Sequence, residues 1–167
     1  MSLKLAEFDR QEILIPDEYS LQSDIEKYSE EIISCIYESV KGTIDAVLYF
    51  EYLKKETIGE LFGLTDANNH FYEEKSSFLL FHNQNLIGVN LVSMDGENSY
   101  VSQLAVHPQY RRHQLGKSLM INSILALKKM NVKELLLHVT SNNPAYLLYK
   151  GLGFVKKESR WVILKQY

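Results

Sequence analysis

Cysteine occurs once in 167 residues, at Cys35, so no internal disulfide can form. This suits a reducing compartment and excludes a small secreted scaffold held by bridges. Three prolines and eight glycines are too few for a collagen or a low-complexity linker. No apolar run approaches the roughly 18 residues of a membrane-spanning helix. The opening segment, MSLKLAEFDRQEI, meets acidic residues too early for a secretory signal. A basic excess is missing as well. Eighteen Lys and Arg against 21 Asp and Glu leave a net charge of −3, which argues against nucleic acid as a bulk partner. What is present is an ordinary globular composition, 46% apolar and 23% charged. A chain of this length is expected to bury about 70% of its unfolded surface. The expectation is a single cytoplasmic domain over residues 1–167, with neither a membrane nor a nucleic-acid partner and no set of metal ligands.

The two halves differ in texture. Ile25, Tyr28, Ile32, Ile36 and Val40 recur at helical spacing, which predicts a helix capped by Ser23 and stopped by Gly42. A second helical stretch runs from Ile44 to Leu64. Strands follow: Phe78–His82, a polar turn at Asn83–Asn85, Leu86–Ser93, a hairpin signal at Asp95-Gly96, and Tyr100–Val106 stopped by Pro108. A helix is predicted from Leu115 to Met130, then a buried strand at Leu135–Val139. Asn143-Pro144 opens a last helix, as N-cap and first helical residue. Two short strands, Phe154–Val155 and Trp161–Lys165, close the chain, and a less distinct one at Glu12–Ile15 precedes the helices. The order β-α-α-β-β-β-α-β-α-β-β describes an α/β (α+β) domain with a mixed sheet and no internal repeat.

The segment most suggestive of chemistry is Leu104-Ala-Val-His-Pro-Gln-Tyr-Arg-Arg-His-Gln-Leu-Gly-Lys-Ser-Leu119. It reads as a strand, a basic loop and a helix. The first turn of such a helix offers unpaired N–H groups and the positive end of the dipole to an anion. Arg111, Arg112 and Lys117 add charge there, and Gly116 permits close approach of a ligand to the backbone. A solvated basic loop is the plain alternative. Gly116-Lys117-Ser118 also suggests a nucleotide P-loop, but that motif needs glycine at position 111, where Arg stands.

Arg111-Arg112-His113-Gln114-Leu115-Gly116 resembles the coenzyme A motif Arg/Gln-x-x-Gly-x-Gly/Ala of the GNAT superfamily of acyl-CoA N-acyltransferases. Gln114 replaces the first glycine. A second stretch, Val139-Thr-Ser-Asn-Asn-Pro-Ala-Tyr-Leu-Leu-Tyr149-Lys-Gly-Leu-Gly-Phe154, is similar to that family's Val-x-x-x-Asn…Ala-x-x-Leu-Tyr-x-x-x-Gly-Phe. The resemblance covers residues 76–155 by motif and the N-terminal third by element order.

It implies a mixed, mostly antiparallel sheet splayed at its central strands, with helices on both faces. Residues 76–155 would form the cofactor-binding core, and the helical pair at 21–64 would line the acceptor cleft. Acetyl-CoA would be the co-substrate. Leu104, Ala105 and Val106 would pair with its pantetheine arm. The amides from Arg112 through His113, Gln114, Leu115 and Gly116 to Lys117, with Ser118 beyond, would hold the pyrophosphate. Counting from Val139 places the family's asparagine at Asn143, and counting back from Tyr149 places it at Asn142. Asn143 is also a plain N-cap. Tyr149 would be the general acid that protonates the leaving thiolate; otherwise it is one of 11 tyrosines packing a helix. Where the family often carries a glutamate, Ser102 and Gln103 are uncharged. Glu97 and His138 are then candidates for the base, and a water chain would need neither. Tyr37, Glu38, Tyr49, Glu51 and Tyr52 would suit a cationic amine, or serve as ordinary helical residues. The implied activity is acetyl transfer to a primary amine of a small molecule or peptide, by a monomer or a homodimer. The rival is a non-catalytic acyl-CoA-binding sensor or regulatory module.

Overall fold

The computed structural model describes residues 1–10, 15–49, 52, 54–65, 72–140 and 142–157. Among the described residues, eleven strands and α-helices run in the order β1 (Ser2–Lys4), β2 (Tyr19–Gln22), α1 (Ser29–Val40), α2 (Ile44–Leu48), α3 (Lys55–Leu61), β3 (Phe78–His82), β4 (Asn85–Asp95), β5 (Asn98–Val106), α4 (Leu115–Lys129), β6 (Glu134–Leu137) and α5 (Ala145–Gly151). The described strands form one sheet in the order β1-β6-β5-β4-β3-β2. Every neighbouring pair is antiparallel except β5 and β6. This is the mixed, mostly antiparallel sheet with helices on both faces that the sequence implied.

The strand period of two explains the two faces. Leu79 and Phe81 of β3 meet Ile32, Ile36 and Ile58 from α1 and α3. Leu80, between them, packs beneath Leu119 of α4. Farther along α4, Met120, Ile121 and Ile124 cover Leu135 and Leu137 of β6. The β3–β4 turn places Asn83 at φ 47° and Gln84 at φ 66°, the two left-handed residues that a two-residue hairpin needs.

Several expectations change. Ser23 does not cap the first helix: β2 occupies Tyr19–Gln22, Asp24 Oδ1 accepts the Lys27 N–H at 3.3 Å, and α1 starts only at Ser29. Alternating exposure along β2 decides this, because one side of that strand packs beside β3. The second helical stretch breaks in two, with extended backbone at Tyr49 and Lys54. Its apolar residues do not share one face. Val47 and Leu61 are 62% and 46% exposed, while Ile58 is fully buried. Phe154–Val155 makes only a bridge from Val155 to Ser2. β1 is an added strand on β6, pairing Ser2 with Leu136 and Lys4 with Glu134. The strands expected at Trp161–Lys165 and, except for Ile15, at Glu12–Ile15 lie outside the described residues.

Candidate active site

The site begins with a mismatch in strand length. β5 pairs with β4 along its whole course, but with β6 only from Asn98 to Val101. Just beyond, Leu91 faces Gln103 and Val92 faces Val101, so Ser102 is an extra residue bulging from β5. A bulge of this kind bends its strand and increases the local twist. β6 ends at Leu137, and Ser102–Val106 therefore has no strand partner on that side among the described residues. The resulting slot opens into a cleft of about 1650 Å³.

The loop from His107 to Gln114 closes one end of the slot. Arg112 sits at φ 69° and Gln114 at φ 60°, both left-handed. Gln114 thus adopts the conformation that glycine at this motif position would favour. Among the described residues, the backbone N–H groups of 112–116 find no acceptor in the chain; the first paired ones are those of Lys117 and Ser118, on Gln114 O at 3.0 Å. The free amides stand at the positive end of a 15-residue helix, an arrangement suited to an anion. Arg111 braces the loop: its Nε donates to Val106 O at 3.2 Å and its Nη2 to Ser39 O at the end of α1. A Cβ on Gly116 would face Val106 Cγ2 at 3.6 Å, with Leu104 and Leu148 at 4.0 Å, so it would project into the slot.

Tyr149 of α5 lines the same cleft, 6% exposed, with its ring edge-on to Phe154 at 5.8 Å. Burial pushes its phenol well above the ordinary value, and the nearby Asp45 and Tyr52 add to the effect. Asp45 lies in the first turn of α2. Asn143 Nδ2 donates to its Oδ2 at 2.8 Å, and Thr140 Oγ1 approaches its Oδ1 at 3.5 Å. Burial raises the Asp45 carboxyl, and these two donors oppose the rise. Asn143 Oδ1 in turn accepts the Ala145 N–H at 2.9 Å, capping α5. Tyr52, also on the cleft wall, donates its hydroxyl to Gln103 Oε1 at 2.7 Å.

Most residues singled out in the sequence meet at this cleft. Leu104, Ala105, Val106, Arg111, Arg112, Gln114, Leu115, Gly116, Lys117, Asn142, Asn143 and Tyr149 line it, with Tyr49, Tyr52 and His138. His113 and Ser118 do not. His113 Nδ1 lies 3.3 Å from Tyr110 O, and Ser118 is buried with its Oγ 3.5 Å from Gln114 O. Glu97 is removed from the base candidates, because it is an exposed residue 2.5 Å from Lys133 and away from the cleft. Glu38 pairs with Lys41 at 3.9 Å, and Tyr37 lies against Lys41 and Lys55, neither on the cleft wall. Glu51 lies outside the described residues. Asp45 and Thr140 are the residues that sequence reading missed. Asp45 reads there as an ordinary first-turn acid, and only its contact with a residue 98 positions away gives it another meaning.

Comparison with known proteins matches this arrangement. The profile of the acetyltransferase (GNAT) family matches residues 42–154, about two thirds of the chain. An N-alpha-acetyltransferase of Sulfurisphaera tokodaii is 43% identical over 60 residues, 35% of this chain and 36% of that protein. The chain thus matches little more than a third of that relative's length. The fold is shared with the ribosomal-protein-S18-alanine N-acetyltransferase of Escherichia coli, at TM-score 0.66 and 20% identity over 84% of this chain and 79% of that one. It is also shared with the PaiA N-acetyltransferase of Thermoplasma acidophilum, solved with coenzyme A, at TM-score 0.64 and 20% identity over 84% and 91%. With a family match spanning slot, loop and terminal helix, the chain belongs to the GNAT family of acetyltransferases.

Proposed function

We propose that the protein transfers an acetyl group from acetyl-CoA directly to the primary amine of an acceptor. The observation that carries this reading is the slot itself, a strand edge left open beside a buried tyrosine and ending at the free amides of 112–116, in the loop and first turn that open α4. The residues fit coenzyme A. The open edge of Leu104, Ala105 and Val106 suits the amide groups of a pantetheine arm, as an added strand would. The amides of 112–116 suit a pyrophosphate, and Arg112 and Lys117 add positive charge. The cleft is larger than a usual single-ligand pocket, in keeping with two substrates meeting there. On this reading residues 76–155 are the coenzyme side, 21–64 the acceptor side, and the whole chain one catalytic domain.

Rate enhancement then comes mainly from placing amine and thioester in register, with backbone N–H groups polarising the carbonyl. Tyr149 stays protonated across the neutral range, so its proton is available when sulfur leaves. A phenol so reluctant to ionise passes that proton on in concert with one arriving from the nitrogen of the adduct. Arg111 and Asn143 act indirectly, the first by bracing the loop and the second by capping α5.

A second reading, an acyl-CoA-binding sensor, is favoured by Gln103, which is neutral and engaged by Tyr52. Calorimetric titration with acetyl-CoA, followed by free-thiol release against a mixed panel of amines, separates the two. Binding with release is the expected result. Binding without release from any amine would favour the sensor, and no binding would overturn both.

A further inference from the structure

Resting on that reading, we propose that Asp45 is the acceptor-side carboxylate: it receives the protonated amine of a substrate built on an aromatic or apolar group and takes its proton. The assignment starts from charge. Among the described residues lining the cleft, Asp45 and Glu73 are the carboxylates. Glu73 is turned to another task, its Oε1 accepting the Lys75 N–H at 3.2 Å in the turn before β3. Asp45 is half-buried beside the coenzyme-side loop, held by Asn143 at 2.8 Å and by Thr140 only at 3.5 Å. An ionised carboxylate has about four acceptor positions, so capacity remains for an ammonium donor. Its field reaches the Tyr149 phenol, and both residues line the same cleft. The bulged strand offers no competing charge, since Ser102 and Gln103 are neutral.

The shape beside Asp45 indicates what the amine carries. Tyr49 follows α2 directly, its N–H donating to Asp45 O at 2.9 Å, and is 40% exposed on the cleft wall. Its ring stands edge-on to Tyr52 at 6.0 Å, and Tyr52 lies 6.4 Å from Phe62. Aromatic faces favour a cation at one end and an apolar group along their length. The chemistry balances as follows. The ammonium gives one proton to Asp45, and the neutral nitrogen forms a C–N bond to the thioester carbonyl carbon. As the C–S bond breaks, the nitrogen's second proton reaches sulfur through Tyr149. Asp45 then returns its proton to solvent, giving amide, free coenzyme thiol and one H⁺.

Three probes test this: 2-phenylethylamine, its isostere O-benzylhydroxylamine, and a hexapeptide with a free N-terminal phenylalanine. The first and third are ammonium ions at neutral pH, whereas the second is a neutral nucleophile. Asp45→Asn should lower kcat/KM about 10- to 100-fold for both ammonium probes, the range expected for a hydrogen bond to a charged group. It should change the O-benzylhydroxylamine rate and the acetyl-CoA Kd by no more than about threefold, well inside the tenfold that 1.4 kcal/mol represents. The wild-type preference between 2-phenylethylamine and the peptide identifies a small amine or a chain terminus as the source. Equal losses on all three probes, or no loss on any, would overturn the role of Asp45. Thiol release with other amines but none of these probes would overturn the acceptor class alone. No release with any amine would overturn the proposed transferase function itself.

Discussion

Tyr149 combines two properties that rarely coincide on a surface helix: near-complete burial and a place on the wall of a wide cleft. Burial keeps its proton in place, and the cleft gives that proton somewhere to go. Tyr149→Phe should lower kcat about 100-fold or more, the usual worth of a positioned acid, with the acetyl-CoA Kd changed less than about twofold. Single-turnover kinetics beside calorimetry would check it, and an unaltered kcat would remove the residue from catalysis. Asp45 makes a complementary prediction about stability. Its carboxyl is raised by burial against the donors Asn143 and Thr140, with Tyr149 the titratable neighbour it influences. A folded-state value above the unfolded one means the folded state binds more protons in the window between them. Stability therefore falls as pH rises through that window, and the full penalty stands above it. Asp45→Asn should raise Tm at about pH 7 and lose that advantage at about pH 3, below the ordinary carboxylate range. Thermal melts at both pH values decide it, and a lower Tm at neutral pH would contradict the account.

At the scale of elements, the start of α4 is where local sequence and the proposed function coincide. The motif placed a glycine-like position at 114, and Gln114 takes up the left-handed conformation despite its side chain. A residue with a Cβ pays of order 1–2 kcal/mol there. The turn of loop it creates leaves the amides of 112–116 without an acceptor among the described residues. Gly116 is the sensitive partner, because its missing Cβ would point between Val106, Leu104 and Leu148. A Cβ alone fits, but a longer anionic side chain must enter the slot. Gly116→Glu should weaken acetyl-CoA binding about 100-fold or more, the cost of several kcal/mol for like charges brought together, and leave the melting temperature nearly unchanged. Calorimetry and a thermal melt on the same sample would separate loss of binding from loss of fold. Binding at wild-type strength would mean that the coenzyme phosphates lie elsewhere.

For the whole molecule, the slot exists because two strands of unequal length share one ladder. β5 runs nine residues and β6 four, so the sheet must part where β6 ends. What anchors the short strand is β1, whose Leu3 is 5% exposed in the same core as Leu135, Ile124, Tyr149 and Phe154. The bridge from Ser2 to Val155 ties the exit of α5 to the same edge. Leu3→Ala should therefore cost about 3 kcal/mol of global stability. Urea denaturation would read this as a lower midpoint with an unchanged slope. An effect below about 0.5 kcal/mol, the usual range for surface substitutions, would show that β1 is dispensable to the core.

Local chemistry made much of this legible in the residues alone. Turn formers bounded the β3–β4–β5 meander, helical spacing marked α4, and two motifs at the right separation carried the family and about half of the cleft lining. These features depend on neighbours a few positions apart, which periodicity and turn chemistry report directly. The sequence did not reveal β1, because three residues with one buried leucine carry no period of their own. Nor did it reveal the break between α2 and α3, where packing of Ile58 and exposure of Val47 and Leu61 override an apparently continuous stripe. Asp45 is the clearest case. Its type and position were plain, but its hydrogen bond to Asn143 and its field at Tyr149 arise only when distant segments close on one cleft. The sequence by itself determined the β3–β4–β5 meander, α4 and the basic loop before it, because those obey local geometry. Only the tertiary structure decided which carboxylate lines the cleft under the influence of burial and of Asn143, because desolvation and pairing belong to the assembled site.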